Sequence, residues 1–560
     1  MSVTSFQDIG NYVTSSNVET PFIIHGNPGT GKSSLLARAA TEVKKHYMIA
    51  GKGFNAPPII LRHCGTTPPS SNIRQLLQSL CHHVAFATSL YRHKVPVDFK
   101  KAKSYFKNLL QSGNFSGNLV IFLDALNDLS DEDGCMTLDW LPLKLAKNVK
   151  LILSTTTGSR VMQQLSMKYP AAAAGAGGSY RELLELEAAK CTHIVQSLLA
   201  KRGREISAEQ WQVVEQALAH CSLPLFTQLL VEEVSQWRSY TVVDVTALGT
   251  SVQECINLLF SRLEKKHGVA IVAKIIAYIT ASRDGISETE LEDVTSLDDH
   301  LLSSVFQFWE PPIRRLPSML LERFKNDIEV YLSTKQVSDV NVIYWCHQQF
   351  AEVAKHRYLR DAQTVREVHS NLADYYVGLW SLKPKPFEYS DIAMKRLKPR
   401  NRQTAALRYV PAQPLIFKSY EKGVVETSTE KARYNLRKLN QLPYHLAHAG
   451  RHLSLMSQVL FNYEWIHAKL TAVSVQKVIS DYNLLTDRDD VTLVKCAFNF
   501  FSFSAHGYEY IKNDSQIVPS LFSVGACNCR VLVFLFGRWL THCACQRRRW
   551  PRTRMFWGWS

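Results

Sequence analysis

The hydrophobic positions of the first 165 residues alternate between short continuous runs and repeats of helical spacing. Continuous runs favour buried strands, and they occur in TPFIIHG, PPIILRHCGTT, GNLVIFLDAL and NVKLILSTTT. Helical spacing dominates between them, in KSSLLARAATEVKKHY, SSNIRQLLQSLCHHVAFA and AKSYFKNLL. This alternation predicts an α/β domain with a parallel sheet covered by helices on both faces. The glycine-rich stretch HGNPGTGKSSLL, between the first strand and the first helix, places this domain in the P-loop NTPase class.

The pattern changes after YPAAAAGAGGSY, a small-residue segment that is typical of a surface loop. Strand signals become rare, and helical spacing continues through AAKCTHIVQSLLAKRG and VEQALAHCSLPLFTQLLVEEVSQW. A helix, a turn at Asp284 and Gly285, and a second helix capped by Ser287 with Glu290 three residues later predict a winged-helix module. Beyond about residue 365 we expect helix pairs broken by the basic loop KRLKPRNRQ.

These patterns divide the chain into five predicted segments. They are a nucleotide-binding domain at 1–165, a small helical domain at 166–245, a winged-helix domain at 246–365, a helical domain at 366–514 and an unstructured tail at 515–560. A length of 560 residues suits several domains, because one hydrophobic core rarely serves so long a chain.

The net charge of +16 is unevenly distributed. Residues 515–560 hold seven arginines and no Asp, Glu or Lys, so the rest carries 16 − 7 = +9. That modest excess makes nucleic acid an unlikely partner.

The scattered single cysteines before residue 515 and the N-terminus without an apolar signal indicate a reducing, cytoplasmic location. No run reaches the roughly 20 apolar residues of a membrane helix, so we expect no transmembrane segment.

The stretch HGNPGTGKSSLL has the spacing of a P-loop between a strand and a helix. Glycines let successive backbone N–H groups converge on phosphates, Lys32 reaches the β- and γ-phosphates, and the Ser33 hydroxyl ligates Mg²⁺. Chance would give this spacing about 0.02 times in a chain of this length. The predicted ligands are therefore ATP or ADP with Mg²⁺, bound by Gly26, Asn27, Pro28, Gly29, Thr30, Gly31, Lys32, Ser33 and Ser34.

A second metal anchor is predicted at Asp124, the acid at the end of the apolar strand LVIFLD. The alternative is an aspartate that only caps a turn. Rapid hydrolysis usually needs a glutamate directly after the metal-binding acid, and this chain has Ala125 there. Asp128 is the candidate catalytic residue, so we expect nucleotide binding with, at most, slow ATP hydrolysis.

Several stretches resemble the STAND class of P-loop ATPases, and within it the NACHT domain of the NACHT and WD-repeat proteins. They cover roughly residues 15 to 510 and include LRHCGTTPPSSNIRQLLQSLC, LDWLPLKLAKNVKLILST, CSLPLFTQLLVEE, FWEPPIRRLPSMLLERFKNDIEVYL, YWCHQQFAEVAKHRYL and YNLRKLNQLPYHL. The family pattern has acids three and four residues after the metal-binding Asp, whereas this chain has Asn127 and Asp128. Only the second acid is retained.

The resemblance also implies nucleotide contacts outside the P-loop. Pro224 matches a proline that packs near the adenine, and His347 matches a winged-helix histidine that contacts the β-phosphate of bound ADP. Ser154 and Thr155, at the end of the LILSTTT strand, occupy the position of a γ-phosphate sensor, and Arg160 is the only arginine nearby. The alternative for His347 is a histidine satisfied inside a helical core.

The family continues into WD repeats, and this sequence reaches its end before any repeat appears. We therefore expect a truncated isoform or a gene model that reads through a splice site.

The tail pairs Cys527/Cys529 and Cys543/Cys545 lack the usual zinc-ligand spacing. The runs RRRWPRTR and KRLKPRNR are better interpreted as solvated charge than as nucleic-acid or membrane contacts.

The leading hypothesis is a signalling switch that acts as a regulated scaffold. ADP held between the P-loop domain and the winged helix would keep the chain closed, and exchange for ATP would release it to assemble through its helical regions with protein partners or as a homo-oligomer. The alternatives are an actively hydrolysing P-loop motor or kinase and a nucleic-acid scaffold. Ala125 and the long helical half argue against the first, and the concentration of arginine in the tail argues against the second.

Overall fold

A computed structural model describes residues 3–15, 18–49, 57–66, 68–88, 95–96, 99–113, 117–130, 134–170, 180–241, 243, 248–421, 429–473, 475–485, 491–492 and 494. The chain divides into two units. The first comprises residues 1–266 together with Cys346–Val353, and the second comprises the remainder. The predicted tail at 515–560, with its cysteine pairs and RRRWPRTR run, and the segment 171–179 lie outside the described residues.

The first unit contains an α/β sheet followed by helices. In chain order its elements are α1 (Val3–Thr14), β1 (Phe22–Gly26), α2 (Lys32–Ile49), β2 (Ile59–His63), α3 (Pro68–Ser71), α4 (Ile73–Ala87), α5 (Phe99–Ser112), β3 (Leu119–Asp124), β4 (Val149–Thr156), α6 (Arg160–Lys168), β5 (Tyr180–Glu182), α7 (Ala188–Lys201), α8 (Ala208–His220), α9 (Pro224–Val234) and α10 (Val252–His267). The four predicted strands and the intervening helices are confirmed.

The sheet is parallel, with strand order β2-β3-β4-β1-β5. Its two faces carry separate hydrophobic clusters because side chains alternate along each strand. Ile121 and Leu123 of β3 pack with α4 and α5, while Val120 and Phe122 pack on the side of α2. The insertion of β4 between β1 and β3 brings the carboxyl ends of three strands to one edge beside the P-loop.

The second unit is mainly helical. In chain order its elements are α11 (Val269–Ala281), α12 (Glu288–Leu297), α13 (Asp299–Val305), α14 (Ser318–Ile328), β6 (Leu332–Val337), β7 (Val340–Trp345), the later part of α15 (Gln348–Tyr358), α16 (Ala362–Val377), β8 (Lys385–Glu388), α17 (Asp391–Leu397), β9 (Gln403–Ala406), β10 (Ile416–Glu421), β11 (Thr429–Tyr434), α18 (Leu436–His448), α19 (His452–Leu455), α20 (Tyr463–Ala472) and α21 (Val475–Tyr482). The predicted boundaries of the five segments remain predictions.

The helix–turn–helix at α11 and α12 has the predicted caps. The Ser287 hydroxyl accepts the Glu290 N–H, and the Glu290 carboxylate accepts the Ser287 N–H, which forms a reciprocal capping box. The antiparallel pair β6–β7 follows, joined at Ser338 and Asp339, both in the left-handed conformation that a two-residue hairpin requires. Ile286 bridges to Ile343, so the hairpin packs beside the helical turn as the wing of a winged helix.

Two expectations for the second unit were wrong. Strands are more frequent there than the pattern indicated, because β6–β7, β8–β9 and β10–β11 all form antiparallel pairs. Three of these strands, β6, β8 and β9, are short and have at most one buried residue each, so they carry little apolar alternation. The basic segment predicted as a loop also begins in a helix, since Lys395 and Arg396 form the last turn of α17 and Lys398 ends it in a left-handed conformation.

Candidate nucleotide-binding site

The P-loop lies between β1 and α2, as its spacing predicts. Gly29 and Gly31 both have φ of +88°, a backbone conformation that side chains with a Cβ rarely adopt. Gly26 is constrained by space instead, since a Cβ there would lie 2.6 Å from the backbone oxygen of Leu183. The glycine positions therefore follow from the curvature of the loop and from its packing against the neighbouring strand.

Lys32 begins α2 and folds back over the loop. Its Nζ donates hydrogen bonds to the backbone oxygens of Gly26 at 2.7 Å and Asn27 at 2.9 Å. Burial lowers the pKa of Lys32, while the negative charges of Asp124 and Asp128 oppose that shift. The ammonium group is thus held at the mouth of the loop, beside two carboxylates.

Asp124 ends β3 and is 2% exposed. Its Oδ2 lies 2.8 Å from His63 Nδ1, and its Oδ1 accepts a hydrogen bond from the Ser154 hydroxyl at 2.5 Å. Burial alone would raise the pKa of Asp124. The hydrogen bonds from His63 and Ser154, with a further one from Ser33, hold the pKa of that carboxyl below its usual range.

The predicted metal ligands therefore lie together. Ser33 and Asp124 supply a hydroxyl and an ionised carboxylate, which are the hard oxygen ligands that Mg²⁺ prefers. The residues present fit such an ion. Hydrogen bonds to His63 and Ser154 orient the carboxylate.

The two predicted sensor residues are buried at the end of β4. The Ser154 hydroxyl accepts the backbone N–H of Ala125 at 2.8 Å while it donates to Asp124, so both of its hydrogen-bonding roles are occupied. Thr155 Oγ1 lies 3.1 Å from the hydroxyl of Ser159, which caps α6. The assignment of Ser154 and Thr155 to the γ-phosphate remains a prediction, and the present contacts hold these side chains in the sheet.

Asp128 lies in a single 3-10 turn that follows β3, Leu126–Asp128. Ala125 precedes the turn in a left-handed conformation, with φ of 55°. The Asp128 carboxylate accepts a hydrogen bond from Asn127 at 2.6 Å. Partial burial, together with the negative charge of Asp124, raises the pKa of Asp128.

Pro224 is the first residue of α9 and approaches the P-loop directly. Its Cγ lies 3.8 Å from the position that a Cβ would take at Gly31. The Cβ of the next residue, Leu225, lies 3.4 Å from the equivalent position at Gly29. The start of α9 therefore covers one side of the glycine loop, which is where the resemblance places the adenine contact.

His347 belongs to the segment Cys346–Val353, which groups with the first unit. Its Nδ1 accepts the backbone N–H of Gln349 at 3.3 Å. Burial lowers the pKa of His347, and the positive charge of Lys32 lowers it further, so both effects favour the neutral ring. A neutral ring whose Nδ1 accepts must carry its proton on Nε2, which makes Nε2–H a hydrogen-bond donor.

Sequence reasoning missed three residues of this site. His63 is aligned with Asp124 in the register of β2 and β3, a relation that follows once the two strands are known to be neighbours. Leu225 could have been found from its place beside Pro224. Gln349 carries no sequence signal of its own, since its position depends on how its segment returns to the first unit.

Among the residues that the structure describes, no group of three or more His, Cys, Asp and Glu side chains could hold a metal ion. Within the same residues, every helix is too short or too polar to cross a membrane.

Comparison with known proteins gives consistent matches. Residues 240–366 match a family model described as the NWD1-like winged helix-turn-helix domain, and residues 4–156 match one described as the Nephrocystin 3 N-terminal region. The chain is 32% identical over 540 residues to NACHT and WD repeat domain-containing protein 2 of Homo sapiens, which covers 93% of this chain and 30% of the relative. It is 33% identical over 479 residues to NACHT domain- and WD repeat-containing protein 1 of Mus musculus, which covers 84% of this chain and 28% of the relative. The chain thus spans less than a third of the length of these relatives.

Solved structures that match the chain include a STAND protein with a tetratricopeptide repeat sensor from Pyrococcus horikoshii. That comparison has 12% identity, a TM-score of 0.36, and coverage of 92% of this chain and 63% of the other. A Walker-type ATPase of Pyrococcus abyssi has 12% identity and a TM-score of 0.29, with coverage of 63% and 95%. The winged helix that the sequence predicts is confirmed by the family model at 240–366.

Proposed function

The chain belongs to the family of NACHT and WD repeat domain-containing proteins, and on that premise we propose that it is a nucleotide-dependent switch of the STAND class. In this proposal the first unit binds ADP or ATP with Mg²⁺, and the identity of the nucleotide decides whether the chain is closed or able to assemble. The observation that carries the proposal is the placement of His347 in the unit that holds the P-loop.

Nucleotide binding is supported by the P-loop itself. Gly29 and Gly31 let the backbone N–H groups turn toward one point, and Lys32 lies over that loop. Ser33 and Asp124 would hold Mg²⁺, which would neutralise phosphate charge when bound. The hydrogen bond from His63 would keep the Asp124 carboxylate ionised and correctly oriented.

Slow hydrolysis is supported by the residues after β3. A glutamate that could activate water is absent from the position of Ala125, whose backbone is already bent into the left-handed region. Asp128 is the remaining candidate, and its carboxylate is engaged by Asn127. We therefore expect ATP turnover well below the roughly 1 to 100 s⁻¹ of kinases.

The switch is supported by the donor that His347 presents. A ligand biases a two-state equilibrium only through contacts that differ between the states. His347 Nε2–H could donate to a β-phosphate when its segment lies beside the P-loop, and that contact would be lost if the segment moved away. ADP would thereby stabilise the closed state.

The assembly of the whole protein also belongs to the proposal. We expect release of the closed state to expose helical surfaces for protein partners or for further copies of the chain, in the cytoplasm. The second candidate, an ATPase that turns over rapidly, is favoured by the ionised Asp124 and by Asp128 at the same strand end.

The test is nucleotide occupancy of the purified chain. Native mass spectrometry, followed by analysis of the denatured extract, should find ADP bound to the wild type. Lys32→Ala should lose the nucleotide, and Lys45→Ala should keep it, because Lys45 is an exposed lysine of the same helix that pairs with Glu42. An empty wild-type protein, or equal occupancy in the two variants, would contradict the assignment, and turnover within the kinase range would favour the second candidate.

A further inference from the structure

Gln349 is a buried polar side chain beside the P-loop that neither the sequence pattern nor the family assigns. The residue is 9% exposed and lies two positions after His347, in the first turn of α15. Its Oε1 is buried and has no hydrogen-bond partner among the residues that the structure describes. A buried amide oxygen without a partner is costly, so it marks a place where a hydrogen-bond donor is expected.

The surroundings of Gln349 Oε1 indicate which donor this is. Oε1 lies 3.8 Å from the position that a Cβ would take at Gly29, and Leu225 occupies the neighbouring space. Pro224, adjacent in sequence, approaches Gly31. A nucleotide whose phosphates occupy the loop carries its ribose directly next to them, and the ribose hydroxyl groups are the hydrogen-bond donors of the nucleotide nearest to the phosphates.

We propose that Gln349 accepts a hydrogen bond from a ribose hydroxyl of the bound nucleotide and so selects ribonucleotides over deoxyribonucleotides. The inference rests on the proposed nucleotide-binding function and adds a specificity-determining contact to it. The phosphate oxygens of a nucleotide are acceptors only, so they cannot satisfy Oε1. The 2′- and 3′-hydroxyls share the required chemistry, and the ligand series below separates them.

The experiment pairs protein variants with nucleotide analogues. Calorimetry measures the affinities of ADP, 2′-deoxyADP and 3′-deoxyADP for the wild type, Gln349→Met, Gln349→Glu and Gln348→Met. Methionine keeps the length of the side chain but removes the acceptor, whereas glutamate keeps an acceptor. Gln348 is the matched control, because it is an exposed glutamine whose amide contacts Glu352.

The expected result is a loss of discrimination in one variant only. The wild type should bind one of the deoxy analogues roughly two- to tenfold more weakly than ADP, as the loss of one neutral hydrogen bond predicts. Gln349→Met should bind ADP and that analogue equally, while Gln349→Glu and Gln348→Met should retain the preference for ADP.

Two results would overturn the inference. Equal affinity of the wild type for ADP and both analogues would exclude a ribose contact without recourse to any variant. Unchanged discrimination in Gln349→Met would assign the contact to another residue. Either result leaves nucleotide binding intact, whereas a wild type that binds none of the three ligands would contradict the proposed function itself.

Discussion

Replacement of His347 is the perturbation that most directly probes the proposed switch. His347→Ala removes the Nε2–H donor and also the Nδ1 acceptor that receives the Gln349 N–H. A hydrogen bond to a charged group contributes roughly 1.5 to 3 kcal/mol, so ADP affinity should fall on the order of tenfold to a hundredfold. ATP should be affected less, because the contact is proposed to form only in the closed state.

The alanine variant alone would mix two effects, since the Nδ1 contact caps the first turn of α15. Loss of such a cap costs about 1 kcal/mol of stability. His347→Asn separates the effects, because asparagine is a good helix cap but does not place a donor at the position of Nε2. Both variants should lose ADP affinity, and His347→Ala should also unfold at a lower temperature than His347→Asn.

Calorimetry with ADP and ATP, and size-exclusion chromatography for assembly, would decide the matter. Equal weakening of ADP and ATP in both variants would place His347 outside the switch. Unchanged affinity for both nucleotides would make it a helix cap only. In either case the closed state would have to be held by other residues.

Two further predictions concern packing and protonation. Gly65→Ala should lower the free energy of unfolding by at least about 1 kcal/mol more than Gly158→Ala does. Both glycines have φ of +76°, but a Cβ at Gly65 would lie 2.6 Å from the Cβ of Asp128, whereas a Cβ at Gly158 would meet no atom of the described residues within 4 Å. Equal midpoints of the two variants in urea unfolding would refute this prediction. Burial lowers the pKa of His369 to about 4, and the positive charge of the neighbouring His448 lowers it in the same direction. The second unit should therefore lose about 3 kcal/mol of stability as the pH falls from 6.5 to 4. Stability falls with pH because the unfolded chain binds the proton of His369 more tightly than the folded chain does. Thermal unfolding across this pH range should show a smaller loss of stability for His369→Gln than for the wild type. An equal loss in both proteins would contradict the assignment of the effect to His369.

The capping box shows how far local sequence reaches. Ser287 and Glu290 are three residues apart, and their reciprocal hydrogen bonds follow from spacing alone. Glu290 also accepts hydrogen bonds from Arg437, which lies 147 residues further along the chain and is buried. No local pattern indicates that second partner, because it depends on how α18 packs against α12 and α16.

The sequence alone determined the P-loop, the parallel strands and the cap of the second winged-helix helix. Each depends on residues that are close in the chain: glycines that allow positive φ, apolar runs that must be buried, and polar side chains that reach a helix start. These requirements are imposed by local geometry, and they hold wherever the segment lies in the fold.

Only the tertiary structure decided which side chains share the site. The strand order placed His63 opposite Asp124 and Ser154 beside it, and the return of Cys346–Val353 to the first unit placed Gln349 beside Gly29. Such contacts join residues far apart in the chain, so they are fixed by the burial of whole helices and strands, and no short stretch of sequence contains that information.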